Sequence, residues 1–372
     1  MNNSKRYLLL FSLIAAIAGG TLFLFIPNLE TESFNQEVIS NIIDGVTTTT
    51  ELPIEDITET TIVSDEIDSI PIEEANLLEV ELIYNEYEKI INGFTTYLLI
   101  GSDERDSLTA STRGNVTGKR ADVIILGLVK NTTKEVTLLS LPRDLLIVNS
   151  CTDNLERINA TYTKNNCGEK AENLAAAIFN LTGLRIEHFA SFNFTGFEEI
   201  IDAVGGIEAC VDVTQREGYS FELQKGCQNI NGLTALNWVV SRHTEVLDGE
   251  KLVDENGNDI SNWIPMPGVS DLSRIKRQQY VVLQLIKKLK NFNSISDLYN
   301  FVKALENSFT IDENFSLNKS VEVLWTFRNT NLEKVKKLTV PVKNYTLNDG
   351  RQVLILQDSV YNYLLNSSVL DS

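Results

Sequence analysis

Two almost unbroken apolar runs, DVIILGLV at 122–129 and VTLLSL at 136–141, are separated only by the polar stretch KNTTKE. Runs without alternating polar positions belong to strands covered on both faces, and the short polar connection makes them an antiparallel hairpin. A chain with such a hairpin must place layers on either side of a sheet. The second run ends in Pro142, Arg143 and Asp144, a charged pair where a core strand reaches the mouth of the fold.

The neighbouring segments supply the covering layers. NGFTTYLLIGSD predicts a strand over 95–101 ending at Asp103. A helix is expected over 169–182, with Ala175, Ala176, Ile178 and Phe179 on its apolar face and Gly183 as its stop. IEHFASFNF then predicts a strand, TGFEEIIDAVGG a helix capped by Thr195, and IEACVDV another strand. Helices are also expected in NGLTALNWVVSRH and SDLSRIKRQQYVVLQLIKKLKN, the latter opened by Ser270 or Asp271. Residues 244–269 between them predict a long surface loop, and the tail around NDG predicts two more strands. The expected class is α/β, an α-β-α sandwich with a mixed central sheet.

Residues 7–27 form a nearly uncharged run, long enough at about 1.5 Å per residue to cross a bilayer core of about 30 Å. Lys5 and Arg6 precede it, which predicts a cytoplasmic N-terminus (1–6), a transmembrane helix (7–27) and everything later outside the plasma membrane. Between Pro27 and Ile90, seventeen Asp or Glu stand against Lys89 alone, so −16 of the net charge of −19 lies there. That composition predicts an acidic extracellular stalk over 28–90 and a nearly neutral domain over 91–366. No nucleic-acid partner is expected. Cys151, Cys167, Cys210 and Cys227 lie on the oxidising side, without CxxC spacing, in a chain with two His; disulfides suit them better than zinc. Of three possible pairings the simplest joins neighbours, Cys151 with Cys167 and Cys210 with Cys227.

Several familiar chemistries fail. GNVTGKRAD lacks the spacing and the Ser or Thr of a phosphate-binding loop, and no GxGxxG follows the first strand. His188 lies within an apolar strand as a core residue, and His243 sits beside Arg242 with no serine elbow nearby. What remains is a set of charges at element ends: Asp103, Arg120, Asp122, Arg143, Asp144, Arg242, and, on the long helix, Asp271, Arg274, Arg277 and Gln278. The antiparallel hairpin brings 120–122 and 143–144 to one sheet edge. Arginine forks match phosphate oxygens, and two carboxylates suit Mg²⁺ bridging a pyrophosphate.

On YLLIGSDERDS, GKRADVIILGLV, VTLLSLPRDLLI, RINATYT, NFTGFEEIIDAVGGIEACV, NGLTALNWVVSRH and DLSRIKRQQ, residues 94–366 resemble the LytR-CpsA-Psr family of cell-envelope phosphotransferases, in its actinobacterial branch. The resemblance implies transfer of a glycopolymer with its proximal phosphate from a polyprenyl-pyrophosphate carrier to a peptidoglycan hydroxyl. It implies Mg²⁺ or Mn²⁺ on Asp103 and Asp122. It assigns pyrophosphate binding to Arg120, Arg143, Arg242, Arg274 and Gln278. Asp144 is expected to orient a neighbouring arginine, and the general base is expected to be Asp271, or Asp144 in second place. The lipid tail needs an apolar slot, for which Phe179, Phe192 and Val239 are candidates. Val240 stands where many members have the first arginine of Arg-x-Arg. Losing that contact costs about 1.5 to 3 kcal/mol unless Arg105, Arg157 or Lys119 substitutes. A pyrophosphate hydrolase and a non-catalytic envelope-binding or regulatory module are the rival readings.

Overall fold

The computed structural model describes residues 31–47, 93–103, 120–152, 154–268, 271–347 and 349–370. The span expected at 7–27 lies outside them, as do Ser270 and residues 28–30 and 48–90 of the expected stalk. Among the described residues no helix is long and apolar enough to cross a membrane.

Seven strands form the central sheet: β1 (Thr31–Glu32), β2 (Phe94–Ser102), β3 (Ala121–Lys130), β4 (Val136–Ser140), β5 (His188–Phe192), β6 (Thr310–Asp312) and β7 (Lys336–Thr339). Their spatial order is β1-β6-β5-β2-β3-β4-β7. β3 runs antiparallel to both β2 and β4, while β5 joins β2 and β7 joins β4 in parallel, so the sheet is mixed as expected. Among the described residues eight α-helices accompany it: α1 (Gln36–Thr47), α2 (Lys170–Thr182), α3 (Phe194–Ala203), α4 (Gly232–Val240), α5 (Asp271–Leu289), α6 (Ile295–Ala304), α7 (Leu317–Phe327) and α8 (Val360–Asn366).

The pleat sends alternate residues to opposite faces. Leu98, Ile100, Leu126 and Leu139 join one core with α1, α2 and α8. Ile125, Val129, Val136 and Leu138 face the other side, with Leu99 and with Val282 and Leu283 of α5. At the end of β2 the register slips between Gly101 and Ser102. A Cβ on Gly101 would stand 2.9 Å from the Val123 side chain, so this crossing of β2 over β3 requires glycine.

Local signals set most boundaries. α2 begins with a reciprocal cap between Glu169 and Glu172 and ends at Gly183, whose φ of 68° is left-handed. α3 starts one residue before Thr195: Asn193 is its cap, its side-chain oxygen accepting the N–H of Gly196 at 2.8 Å. Asn and Thr are both good caps, and the shape of the entering strand selected Asn193.

Three other expectations are corrected. Residues 31–47 belong to the domain and not to an extended stalk. β1 extends the sheet edge, Phe34, Ile39 and Ile42 are buried, and Phe34 meets Phe189 at 5.1 Å. The buried Glu172 carboxylate accepts the N–H of Asn35 at 2.7 Å, and Gln36 donates to the carbonyl of Ile186 at 2.8 Å. Acidic averages concealed an apolar spacing sufficient to dock one helix. Residues 244–269 are not an irregular loop: Glu245–Leu247 and Trp263–Pro265 pair as a hairpin in a four-stranded sheet with Gln215–Glu217 and Phe221–Leu223. The IEACVDV strand (Ile207–Val211) pairs with Gly226–Ile230 in a separate ribbon outside the central sheet. Cys210 and Cys227 face each other across that ribbon and are bonded, as are Cys151 and Cys167. The tail hairpin, Val342–Thr346 with Gln352–Leu356, forms as expected.

Candidate active site

Between the second face of the sheet and helices α3 to α7 lies a cavity of about 460 Å³. Its floor is Tyr97, Leu99, Ile125, Gly127 and Leu138; its roof includes Phe197, Val239, Val281, Leu285, Val302 and Phe327. Polar side chains gather at one end: Ser102, Asp122, Asn193, Arg242, Arg274 and Gln278. Phe192 and Val239 line the cavity as expected. Phe179 does not: its helix, α2, covers the opposite face of the sheet, where the Arg185 guanidinium lies 5.8 Å from its ring.

The charged end is assembled from strand termini and one helix. Arg143, two residues past Leu141, donates to Asp122 at 2.5 Å, joining the end of one hairpin strand to the start of the other. Asp144 lies between two arginines, its oxygens 3.5 Å from Arg143 Nε and 3.3 Å from Arg157 Nε. Arg157 also donates to the carbonyl of Gln352 at 2.6 Å. Val240 itself packs into the apolar roof, and Arg105 and Lys119 lie outside the described residues. Asp103 and Arg120 clasp each other beside the mouth: each backbone N–H is used, toward the Arg120 carbonyl at 3.2 Å and the Asp103 carboxylate at 2.9 Å. The Asp271 side chain lies outside the described residues.

Arg274 is buried, with 6% of its surface exposed, although it faces the mouth. Burial, followed by repulsion from Arg143, pulls its pKa down to about 10, while Asp122 and Asp144 oppose the change. It is still a cation at neutral pH, largely withdrawn from water. Partial burial pushes the Asp103 carboxyl above its usual range; the N–H of Arg120 opposes this and the Asp122 charge adds to it.

Two side chains, only one of them expected near the site, hold α5 in register. Gln279 is buried and donates to Ser140 Oγ at 2.9 Å and to the Leu338 carbonyl at 2.7 Å, tying α5 to the ends of β4 and β7. Arg277, expected among the site's positive charges, instead donates to the carbonyls of Trp238 at 2.5 Å and Ser241 at 2.7 Å, satisfying the end of α4. With these neighbours fixed, Arg274 and Gln278, four residues apart, face the cavity. Ser102 and Asn193 were also not anticipated; the Asn before an apolar helical run was the available signal for the second.

The profile of the LytR_cpsA_psr family matches residues 72–250 and 265–367. Cell wall biosynthesis protein LcpB of Corynebacterium glutamicum, whose function is given as probable, is 34% identical over 166 residues, 43% of this chain and 39% of that protein. The polyisoprenyl-teichoic acid–peptidoglycan teichoic acid transferase TagU of Enterococcus faecalis is 26% identical over 225 residues, 60% of this chain and 63% of that protein. The matches thus span between about two fifths and just under two thirds of these relatives. The crystal structure of B. subtilis TagV aligns with a TM-score of 0.55 at 18% identity, over 74% of this chain and 95% of that one, which shows the fold. With the profile covering most of the chain and the same mixed sheet beneath it, the protein belongs to the LytR_cpsA_psr family.

Proposed function

We propose that this protein transfers a glycopolymer phosphate from a polyprenyl-pyrophosphate carrier to a hydroxyl of peptidoglycan. The observation that carries the reading is a long apolar cavity with guanidinium, amide and carboxylate groups confined to one end. A substrate with an extended hydrocarbon tail and an anionic head satisfies both parts at once. The known acceptor and donor classes of TagU, named for joining teichoic acid to peptidoglycan, agree with this assignment.

In the proposed reaction the acceptor oxygen attacks the phosphorus nearer the sugar. The bond from that phosphorus to the bridging oxygen breaks, polyprenyl phosphate leaves with the electron pair, and the acceptor proton passes to a base. Asp271 is the first candidate for that base; Asp144, already engaged by two arginines, is better placed as an orienting group. Arg274, Arg242 and Gln278 receive the phosphate oxygens, and Arg143, aligned by Asp122 and Asp144, adds its charge beside them; Arg120 serves from the rim. Preorganised cations in a dry site stabilise developing charge strongly because no solvent must reorient.

Asp103 and Asp122 fit a divalent ion. They are hard oxygen donors whose mutual repulsion a cation would relieve. Two carboxylates would leave the remaining coordination positions of Mg²⁺ or Mn²⁺ to substrate phosphate and water. Bound there, the ion would neutralise charge on the pyrophosphate oxygens. An anchor at 7–27 would hold the domain on the outer face of the plasma membrane, where the lipid carrier is at hand.

The test is incubation of the full chain with a polyprenyl-pyrophosphate glycan, with and without peptidoglycan. The expected products are phosphodiester-linked glycan on the wall and free polyprenyl phosphate. Release of free sugar phosphate at one rate in both mixtures would establish a hydrolase instead.

A further inference from the structure

The family profile stops at residue 250 and resumes at 265, so the outer part of the hairpin that replaces the expected loop, 251–264, lies in the interruption. It is well built. Val253 bridges Asp259, the N–H of Ile260 donates to the Leu252 carbonyl at 3.0 Å, and Asp254 closes the turn through Asn256 and Asn258. Near its base the Arg216 guanidinium stacks 4.0 Å from the Trp263 ring, and Asp259 takes hydrogen bonds from both residues at 2.8 and 3.0 Å. An ordered hairpin of this kind ordinarily buries its apolar side chains. Here Leu252, Val253, Ile260 and Ile264 are all exposed, by 51, 61, 59 and 38%. Leu252 and Ile260 stand opposite each other and share a face.

The base of the hairpin follows the active site closely along the chain, Glu245 lying three positions after Arg242. Arg242 lines the cavity mouth, His243 donates its N–H to Glu217 at 3.0 Å, and the hairpin strand begins at Glu245. Charge selects the occupant. Residues 245–265 carry six Asp or Glu and one Lys, with Glu250 and Glu255 exposed beside the apolar tip. Such a surface repels anionic lipid headgroups and an anionic glycopolymer alike, and attracts an amine flanked by small apolar groups.

We infer that the hairpin over 248–262 docks the acceptor, engaging the amine-bearing peptides of peptidoglycan and so bringing a glycan hydroxyl to the Arg242 end of the cavity. The inference rests on the transferase reading above and names the acceptor surface of that site.

Soluble peptidoglycan fragments with free peptide amines, and the same fragments N-acetylated, are titrated into the full chain by calorimetry and then used as acceptors. The double variant L252S/I260S is expected to raise the acceptor KM about tenfold, by removing apolar contact, with kcat and donor KM unchanged. E250K/E255K leaves the turn and apolar face in place and is expected to raise the acceptor KM about threefold, as acetylation of the fragments does. An unchanged acceptor KM in E250K/E255K together with equal binding of free and acetylated fragments overturns the proposal. So does a wild-type dimer in sedimentation, or wild-type flotation with phosphatidylcholine vesicles, that L252S/I260S abolishes. Calorimetry separates the two readings: fragments that bind but are never glycosylated count against the transferase, whereas glycosylation with an unaltered KM counts against the surface.

Discussion

The two faces of the central sheet carry similar residues and are filled in opposite ways. On one, small side chains of α2 (Ala171, Ala175, Ala176) let the helix settle onto Leu98, Ile100 and Leu126, with Phe34 of the N-terminal segment closing the edge. On the other, five helices stand off from Leu99, Ile125 and Leu138 and leave about 460 Å³ between them. A dry closed void of that volume would cost on the order of 10 kcal/mol, comparable to the whole stability of a typical domain. The second face avoids that cost by opening to solvent at its polar end, where the first is packed shut.

This contrast is open to direct attack. The largest effects are expected on the filled face. Phe34→Ala should cost about 3–5 kcal/mol and Leu174→Ala about 2–5 kcal/mol in denaturant unfolding, with little change in turnover by the folded fraction. Leu285→Ala, on the cavity roof, should cost clearly less because its neighbours there are already few; equal losses on both faces would refute the distinction. Next, Arg274→Ala should lower turnover by about 10²–10³-fold, as removal of a preorganised charge donor does, while leaving melting nearly unchanged or raised. Gly127→Leu tests the floor. A Cβ at Gly127 meets nothing nearer than 3.7 Å, so the larger side chain should fold normally, fill the cavity, and weaken long-chain donors while sparing short-chain ones.

The smallest effect concerns pH. Because the Asp103 carboxyl is raised in the folded chain, folding retains its proton more tightly than the unfolded chain does. Its contribution is fully present below the ordinary aspartate value near 3.8 and is lost as pH rises through the raised value. Asp103→Asn should then make the metal-free protein slightly more stable than wild type at neutral pH and flatten that part of the profile. The same substitution should abolish any stabilisation by added Mg²⁺; an undiminished thermal shift with Mg²⁺ would remove Asp103 from the proposed ion site.

Residues that were misread share a cause. The α1 segment was hidden because its acidic neighbours dominate any average, although Phe34, Ile39 and Ile42 alone suffice to dock it once the α2 and β5 surface exists. Arg277 and Arg274 look alike in the sequence, three positions apart on one helix. Which of them faces the cavity depends on the carbonyls at the end of α4, which claim Arg277, and on Gln279, which pins the helix rotation. Phe179 illustrates the same ambiguity between faces: an apolar aromatic on a covering helix is compatible with either side of a sheet.

Local chemistry by itself determined the hairpin of β3 and β4, the start and stop of α2, the helical character of α4 and α5, and the ordered set of motifs that places the chain in its family. These follow from side-chain period, capping and turn residues, which act over a few positions. Tertiary structure alone decided that residues 31–47 join the domain, that 245–265 forms a hairpin with an exposed apolar tip, and that one face of the sheet is hollow. Those outcomes depend on how separately stable elements stack and on which face each presents, and no short-range preference encodes the distance between two layers.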